Sequence, residues 1–356
     1  MADVCFYVSG HGFGHAVRDA ELLRTLLRLA PELRLEVRTP APSWIFPPGV
    51  RVLERSLDVG VVQPDSLRVE PAQTLARYAE FRGSEEELVA AESAELSAGG
   101  VRLVVADAPS AAFAVAARAG LPSIGLANFC WDWIYEPYVS AMPQYAFVVD
   151  HLRTQHSQAD LLLRLPFHGD LSCFPRIADV PLLARKASAD RASTRRHLGL
   201  PQNSPLVLLS FGGFDFEGLD EPRLAALDEY AFVATGRNRH PRRVGNLFFL
   251  PPAGYSYVDL LAASDAVVAK PGYGIVADCL ANRVPVLYTP RGNFREEPIL
   301  ARALEAHGRA VRLPRAALRR WELRPYLERL LSLDHPWDNV PLDGAEVIAS
   351  QLLSRL

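Results

Sequence analysis

The sequence predicts an α/β protein with two domains, each built on a parallel β-sheet. Short apolar segments alternate with amphipathic segments in both halves of the chain, which is typical of parallel strands joined by helices. A glycine-rich turn follows a strand in each half, at the sheet edge where α/β proteins bind ligands. The length of 356 residues suits two cores of ordinary size. We therefore expect two Rossmann-like domains whose parallel sheets face a central cleft, with a helix at the C-terminus.

The first half of the chain predicts an N-terminal domain over residues 1–180. Its strand segments are apolar or β-branched and cover 4–8, 34–38, 51–54, 101–106 and 123–126. Its helical segments cover 19–29, 72–96 and 111–119. Prolines interrupt this alternation between residues 166 and 205, and we place the linker at 181–204.

A second alternation predicts a C-terminal domain over residues 205–356. Its strand segments cover 206–209, 232–235, 247–250, 266–269 and 284–288. Its helical segments cover 221–229, 257–263, 274–281, 295–306 and 343–356. Right-handed crossovers between parallel strands then place helices on both faces of each sheet.

The composition excludes several classes of protein. The formal net charge is −3, so no basic surface predicts a nucleic-acid partner. The four cysteines are scattered without a C-x-x-C pair, so neither a zinc site nor a disulfide framework is expected. Met1 leads directly into a strand, and no apolar run approaches the ~18–20 residues of a membrane span. We expect a cytoplasmic protein with no transmembrane segment and no bound metal.

Residues 9–15 read Ser-Gly-His-Gly-Phe-Gly-His and come directly after the first predicted strand. Gly12 and Gly14 allow a ligand to approach the backbone, and the helix that follows directs its N-terminus toward that ligand. An imidazole at the start of this helix indicates a catalytic role rather than phosphate binding alone, so His15 is a candidate general base. The acidic residue that a dinucleotide site needs ~20 residues further on is missing. A capping or packing role for His15 is the alternative.

Asp107 ends a predicted strand at the same sheet edge as His15. A carboxylate within reach of an imidazole fixes its tautomer and stabilises the imidazolium, so the two are expected to act as base and orienter. The alternative role for Asp107 is a helix N-cap. The aromatic segment that follows belongs either to the core or to a surface that stacks on a sugar acceptor. The candidate acceptor contacts are His11, Asn128, Trp131 and Trp133.

The second glycine-rich turn reads Ala-Lys-Pro-Gly-Tyr-Gly at 269–274 and follows another predicted strand. Gly272 and Gly274 at a helix N-terminus fit a diphosphate, and Lys270 adds a positive charge. Asp278 lies one helical turn after Gly274, where its carboxylate can accept both hydroxyls of a ribose. The alternative is a tight turn with a solvated aspartate.

Two further segments of the second half predict ligand contacts. Ser210 ends a strand and opens a Ser-Phe-Gly-Gly turn, which again permits close approach of a ligand. Glu296 and Glu297 are adjacent carboxylates that suit bidentate hydrogen bonds to sugar hydroxyls. Acidic residues at a helix start often serve the helix dipole alone, and this is the alternative for the pair.

These motifs together resemble a known family. The two-domain plan, the turn with His15, and the glycine turn with Asp278 followed by the glutamate pair are similar to GT-B nucleotide-sugar glycosyltransferases. Nearly the whole chain also resembles the N-terminal glycosyltransferase-like region of plant L-arabinokinases and their bacterial relatives. The matching strings cover 7–18, 58–65, 128–135, 270–274 and 293–298.

The resemblance implies a role for each matching residue. His15 would be the base for the acceptor hydroxyl, with Asp107 as its partner. Lys270 and the glycines of its turn would hold the donor diphosphate, Asp278 the ribose, and the glutamate pair the donor sugar. The family usually has Glu at the ribose contact and an acid or amide with Gln at the sugar contact, so the donor sugar stays open. No Gly-Leu-Ser-Ser-type phosphate loop is present, and kinase activity is not implied.

We therefore expect an inverting glycosyltransferase that moves a sugar from a nucleotide-diphosphate sugar to an acceptor hydroxyl or amine. A UDP-sugar is favoured as donor, no separate cofactor is expected, and the lack of an Asp-x-Asp pair agrees with metal independence. The alternatives are a non-catalytic protein that binds nucleotide sugars and a GT-B nucleotide-sugar epimerase. The predicted donor contacts are Gly12, Gly14, Ser210, Gly212, Gly213, Lys270, Gly272, Tyr273, Gly274, Asp278, Arg295, Glu296 and Glu297.

Overall fold

The computed structural model describes residues 2–356 apart from 65–67, 212–218, 236–239, 252–253, 291 and 293. The chain forms two compact units. The first unit comprises Met1–Pro64, Val69–Leu183 and Pro341–Leu356, and the second comprises Asp65–Arg68 and Ala184–Val340. Each unit contains its own sheet, which confirms the predicted α/β class with two Rossmann-like domains.

The sheet of the first unit has seven described strands, all paired in parallel. They are β1 (Val4–Val8), β2 (Leu35–Arg38), β3 (Arg51–Leu53), β4 (Leu103–Asp107), β5 (Ser123–Ala127), β6 (Leu161–Arg164) and β7 (Ile177–Asp179). Their order in the sheet is β3-β2-β1-β4-β5-β6-β7. The central strands β1 and β4 are buried along their whole length, which explains why they read as continuous apolar runs rather than as alternating ones.

The sheet of the second unit also has seven described strands. They are β8 (Leu206–Ser210), β9 (Ala231–Thr235), β10 (Arg242–Val244), β11 (Leu247–Leu250), β12 (Ala266–Ala269), β13 (Val286–Tyr288) and β14 (Ala310–Arg312). Their order is β10-β11-β9-β8-β12-β13-β14, and every pairing is parallel except that of β10 with β11. The turns after β8 and β12 therefore lie at the carboxyl ends of neighbouring central strands.

Helices separate most of these strands in the described part of the chain. They are α1 (Gly14–Leu29), α2 (Pro71–Gly99), α3 (Ala111–Ala119), α4 (Trp131–Ala141), α5 (Ala146–His156), α6 (Arg191–His197), α7 (Glu221–Ala225), α8 (Tyr257–Ala263), α9 (Tyr273–Asn282), α10 (Glu297–His307), α11 (Arg315–Arg319), α12 (Arg324–Leu331) and α13 (Gly344–Leu353), with 3₁₀ turns at Ser43–Ile45 and Pro143–Tyr145. The residues at several helix ends are those that favour a helix start or stop. Pro71 opens α2, and Gly120 ends α3 in the left-handed conformation. Among the described residues, no helix is long and apolar enough to cross a membrane.

The last helix, α13, packs in the first unit, whereas the sequence places residues 343–356 in the C-terminal domain. The Leu182 N–H donates to the Pro341 carbonyl at 3.1 Å, and a Cβ on Gly344 would lie 2.5 Å from the Pro181 carbonyl oxygen. Glu346 pairs with Arg28 of α1 at 2.9 Å. The chain thus returns to its first unit, a connection that no local pattern encodes.

The prediction also differs at several short elements. Strands β6, β7, β10 and β14 and helices α4, α5, α6, α11 and α12 are not predicted, and α6 lies inside the predicted linker at 181–204. These strands have three or four residues, too few to establish a two-residue period. Helix α4 contains Pro137 and many aromatic residues, a composition that the sequence interpretation treats as a binding segment.

Candidate active site

His15 and Asp107 meet at the carboxyl edge of the first sheet. His15 is the second residue of α1, and Asp107 is the last residue of β4, next to the end of β1. The Ser9 N–H donates to the Asp107 carbonyl at 3.1 Å, which joins the turn after β1 to β4. The His15 Nδ1 lies 2.8 Å from Asp107 Oδ1, and the exposed fractions of the two residues are 6% and 1%.

Arg18 holds the carboxylate of this pair from the other side. It lies one turn after His15 on α1, and its Nε donates to Asp107 Oδ2 at 2.6 Å while its Nη2 also donates to Oδ1. Its Nη1 donates to Asn128 Oδ1 at 2.8 Å. Burial raises the pKa of Asp107, but the Arg18 and His15 charges outweigh burial and hold that pKa well below its usual range. Asp107 is therefore ionised.

The ionised carboxylate favours one tautomer of His15. A carboxylate can only accept, so a proton on Nδ1 donates to Asp107, and Arg18 Nη2 lies 3.2 Å from the same nitrogen. This tautomer directs the Nε2 lone pair away from the carboxylate. A neutral imidazole with Nε2 as acceptor is the form that a general base requires.

The residues predicted to contact an acceptor differ in exposure. Asn128 is fully buried beneath Arg18, and Trp131 is 1% exposed. The indole Nε1 of Trp131 donates to Asp58 Oδ2 at 2.8 Å, and its edge packs against the His11 ring with centroids 5.3 Å apart. Asn128 and Trp131 thus have almost no surface for direct contact with an acceptor, and both support neighbouring polar groups instead.

Trp133 and His11 keep some exposed surface. Trp133 packs so closely on Gly169 that a Cβ there would lie 2.7 Å from the indole ring. It also borders a surface cavity of about 430 Å³ together with Arg153 and Cys173. The His11 ring lies against Gly60, which adopts a left-handed φ of 65°.

The turn in the second unit is built from backbone. Strand β12 ends at Ala269, and Gly272 is the N-cap of α9, whose first turn receives no side-chain cap from the described residues. A Cβ added to Gly272 or Gly274 would meet nothing within 4 Å, and neither residue has a positive φ. Neither packing nor backbone strain therefore explains these glycines, whereas a ligand that approaches the N-terminus of α9 would.

Asp278 lies on α9 and is buried. Its Oδ1 accepts from the Arg185 N–H at 2.9 Å, and its Oδ2 accepts from Arg185 Nε and Nη2 at 3.1 and 2.5 Å. One turn later, Asn282 Oδ1 accepts from the Ala187 N–H at 2.9 Å. Asp278 thus anchors the segment that follows Leu183, a structural role that neither the predicted ribose contact nor its alternative, a solvated aspartate, includes.

The remaining predicted contacts are only partly described. Ser210 ends β8, and its Oγ lies 2.5 Å from the Tyr257 hydroxyl in a hydrogen bond. Glu296 and Glu297 are buried at the start of α10, and Arg295 precedes them as an exposed residue. The predicted contacts Gly212 and Gly213 lie outside the described residues.

Comparisons with known proteins agree with this architecture. The chain is similar in structure to the glycotransferase of kitacinnamycin, with a TM-score of 0.63, 17% sequence identity and coverage of 99% of this chain and 93% of that one. The chain has the GT-B fold. No family model matches it.

Sequence comparisons relate this GT-B chain to two curated proteins. It is 32% identical over 351 residues to L-arabinokinase of Arabidopsis thaliana, a match that covers 97% of this chain and 33% of that protein. The chain therefore spans about a third of that relative's length. It is also 28% identical over 160 residues to a UDP-N-acetylglucosamine--N-acetylmuramyl-(pentapeptide) pyrophosphoryl-undecaprenol N-acetylglucosamine transferase of Desulforudis audaxviator (strain MP104C), covering 38% of this chain and 42% of that protein.

Two residues of the candidate site are missing from the predicted contacts. Arg18 has a recognisable signal, because it stands three positions after His15 on an amphipathic helix and therefore on the same face. Asp58 begins the matching string at 58–65, but its contact has no local signal because its partner Trp131 is 73 positions away. Desolvation raises the pKa of Asp58, although hydrogen bonds from Ser9 and Trp131 oppose this effect.

Proposed function

We propose that the protein transfers a sugar from a nucleoside-diphosphate sugar to an acceptor hydroxyl or amine. The observation that carries the proposal is the buried His15, whose Nδ1 lies 2.8 Å from an ionised Asp107. Imidazole held by a carboxylate in one tautomer is a common general base. The sequence relationship to a transferase that uses UDP-N-acetylglucosamine, as its name states, supports a UDP-sugar donor.

In the proposed reaction, Nε2 of His15 takes the proton of the acceptor as its oxygen or nitrogen attacks the anomeric carbon. The new bond forms on the face opposite the diphosphate, the bond from the anomeric carbon to the diphosphate oxygen breaks, and the configuration inverts. Asp107 stabilises the imidazolium that results. Arg18 keeps Asp107 ionised and fixed in place, so that no reorganisation is needed when the imidazole becomes charged.

The donor is assigned to the second unit. Backbone N–H groups at the start of α9 and the charge of Lys270 would bind the diphosphate and stabilise it as it leaves, so the reaction needs no metal. The Oδ1 of Asp278 accepts one hydrogen bond from Arg185, through its backbone N–H, and can accept a second from a ribose hydroxyl. Glu296 and Glu297 are the proposed contacts to the sugar.

The decisive experiment replaces His15 by alanine. Affinity for UDP and for the productive UDP-sugar, measured by calorimetry, should stay within a few-fold of wild type because the donor belongs to the second unit. Turnover should fall by about 10²–10⁴ through loss of the general base. A non-catalytic binding protein would show UDP-sugar affinity but no acceptor-dependent release of UDP in the wild type.

A matched control removes a different histidine of the first unit. His151 on α5 forms a similar pair with the buried Glu85, at 2.6 Å. His151→Ala should remove the His151–Glu85 pair and leave the turnover rate unchanged. Equal turnover in His15→Ala and wild type would contradict the proposed mechanism.

A further inference from the structure

A group of metal-ligating side chains lies in the first unit outside the proposed transfer site. We call it the cysteine–histidine cluster, and it consists of Cys130, Asp132, His156 and Cys173. Its members come from the start and first turn of α4, the end of α5 and the connection between β6 and β7. One ligand atom from each residue lies within 4.8 Å of every other, the separation expected around one small cation.

The buried histidine of the cluster lies beside a carboxylate without a well-aligned hydrogen bond to it. His156 is 1% exposed, and its Nδ1 lies 3.1 Å from Asp132 Oδ1. No described residue forms an aligned hydrogen bond with that nitrogen. The nearest partner of this nitrogen is thus an unaligned carboxylate oxygen, and the two atoms are placed as neighbouring ligands of one ion would be.

The sulfur atoms complete a suitable donor set. The Cys173 Sγ lies 3.8 Å from Asp132 Oδ1, and the Cys130 Sγ lies 3.6 Å from the Asp170 carbonyl. Two sulfurs, an imidazole and a carboxylate oxygen match the soft and borderline ligands of tetrahedral zinc.

We propose that the cysteine–histidine cluster binds a structural zinc ion. The surroundings fit a charged site. Two thiolates and the carboxylate give three negative charges, zinc offsets two, and Arg153 Nε, 3.3 Å from Asp132 Oδ2, offsets the third. The surface cavity bordered by Asp132 and Cys173 provides a path from solvent. Bound zinc would fix α4, α5 and the connection after β6 to one another.

This site has a consequence for the neighbouring aromatic segment. Cys130 and Asp132 flank Trp131, which donates to Asp58, and Cys130 follows Phe129, whose ring packs against His15 with centroids 5.5 Å apart. Zinc would therefore hold in place the segment that supports the proposed base. The proposal does not depend on sugar transfer, because metal binding is measured by itself.

The test uses the full chain, purified under reducing conditions and stripped with a chelator. Zinc titration followed by mass spectrometry of the native protein should show one ion bound per chain, and zinc should raise the melting temperature. Cobalt should produce the thiolate charge-transfer and tetrahedral d–d absorption bands. Cys173→Ala and Cys173→Ser should weaken zinc affinity by more than about 10²-fold, beyond the effect of losing an outer-shell partner.

Cys279→Ala is the matched control, since Cys279 is a free, buried cysteine of the second unit. It should bind zinc like the wild type. Circular dichroism checks that the Cys173 variants are folded. We expect the fold to tolerate these substitutions because Cys173 is partly exposed. Failure of the reduced wild type to bind stoichiometric zinc, or wild-type affinity in both folded Cys173 variants, would overturn the proposal.

Discussion

The first unit builds its candidate site from charged side chains, whereas the second builds its own from exposed backbone. His15 depends on Asp107 and Arg18, all buried and joined by hydrogen bonds of 2.6–2.8 Å. Gly272 and Gly274 face open space at the start of α9. Both candidate sites occupy the turn between a strand and a helix, but we expect the first to be disabled by removing a charge and the second to be weakened by adding a methyl group.

The difference has an energetic basis. A buried constellation of charges is held in place only when every member is present, because a lone charge in the interior costs several kcal/mol. A backbone site at a helix N-terminus is already oriented by the helix and needs only room for the ligand. We therefore expect substitutions in the first site to lower turnover and stability together. Substitutions in the second site should change ligand affinity and stability independently.

The largest effect is expected from Asp107→Asn. The amide loses the charge that stabilises the imidazolium and leaves Arg18 without its ionic partner, so turnover should fall by about 10²–10⁴ and the free energy of unfolding by about 3 kcal/mol. Because the pKa of Asp107 is lowered in the folded state, its contribution to stability is present above pH ~4 and is lost as the pH falls further. Chemical denaturation from about pH 6 down to about pH 2 should show a flatter acid limb in the variant.

Glu92→Gln serves as the control for this prediction. Glu92 is another buried carboxylate of the first unit, bound by Arg38 and by the Tyr7 hydroxyl at 2.8 Å. Its loss should destabilise the protein to a similar degree but leave turnover per folded molecule unchanged. A comparable loss of turnover in Glu92→Gln would mean that activity only follows stability.

An intermediate effect is expected from Asp278→Asn, which tests whether the second site also uses a charged side chain. Arg185 would lose a charged acceptor, so stability should fall by about 2 kcal/mol. If Asp278 also binds the ribose, affinity for UDP should fall about tenfold, or about 1.4 kcal/mol. Asp259→Asn is the control, because Asp259 accepts from the Ser188 N–H at 2.7 Å and has no proposed ligand. Unchanged affinity for UDP in Asp278→Asn would restrict Asp278 to its anchoring role.

The smallest effect, and opposite in sign for stability, is expected from Gly274→Ala. Alanine is the better helix former, so the free energy of unfolding should rise by up to about 1 kcal/mol. The new methyl should nonetheless reduce UDP affinity by about tenfold, or about 1.4 kcal/mol, since it occupies space assigned to the diphosphate. Calorimetry and thermal denaturation measure the two quantities.

Gly83→Ala provides the comparison for the glycine variant. Gly83 lies within α2, and a Cβ there would also meet nothing within 4 Å. The Gly83→Ala protein should be more stable than the wild type and should bind UDP with unchanged affinity. If Gly274→Ala behaves in the same way, the turn of the second unit is not the diphosphate site.

Much of the architecture was predictable from local sequence. The apolar run of β1, the helix α3 and the glycine turns at 9–15 and 269–274 are encoded by neighbours in the chain, through continuous burial, helical periodicity and the freedom of glycine. The placement of His15 and Asp107 at one sheet edge also follows from local information, whereas the pairing of β1 with β4 that makes them neighbours does not. Each ends or follows a parallel strand, and the carboxyl ends of parallel strands share one edge.

The tertiary structure alone decided which distant groups meet. Arg185 reaches Asp278 over 93 positions, and α13 returns to the first unit across most of the chain. The cysteine–histidine cluster likewise has no spacing that a motif would reveal, although its ligand atoms lie within 4.8 Å of one another. Local propensities act over a few residues, whereas these contacts depend on how completed helices and strands pack. The sequence by itself therefore determined the fold class and the turns, and packing determined where the charged groups, the anchoring side chains and the cysteine–histidine cluster lie around them.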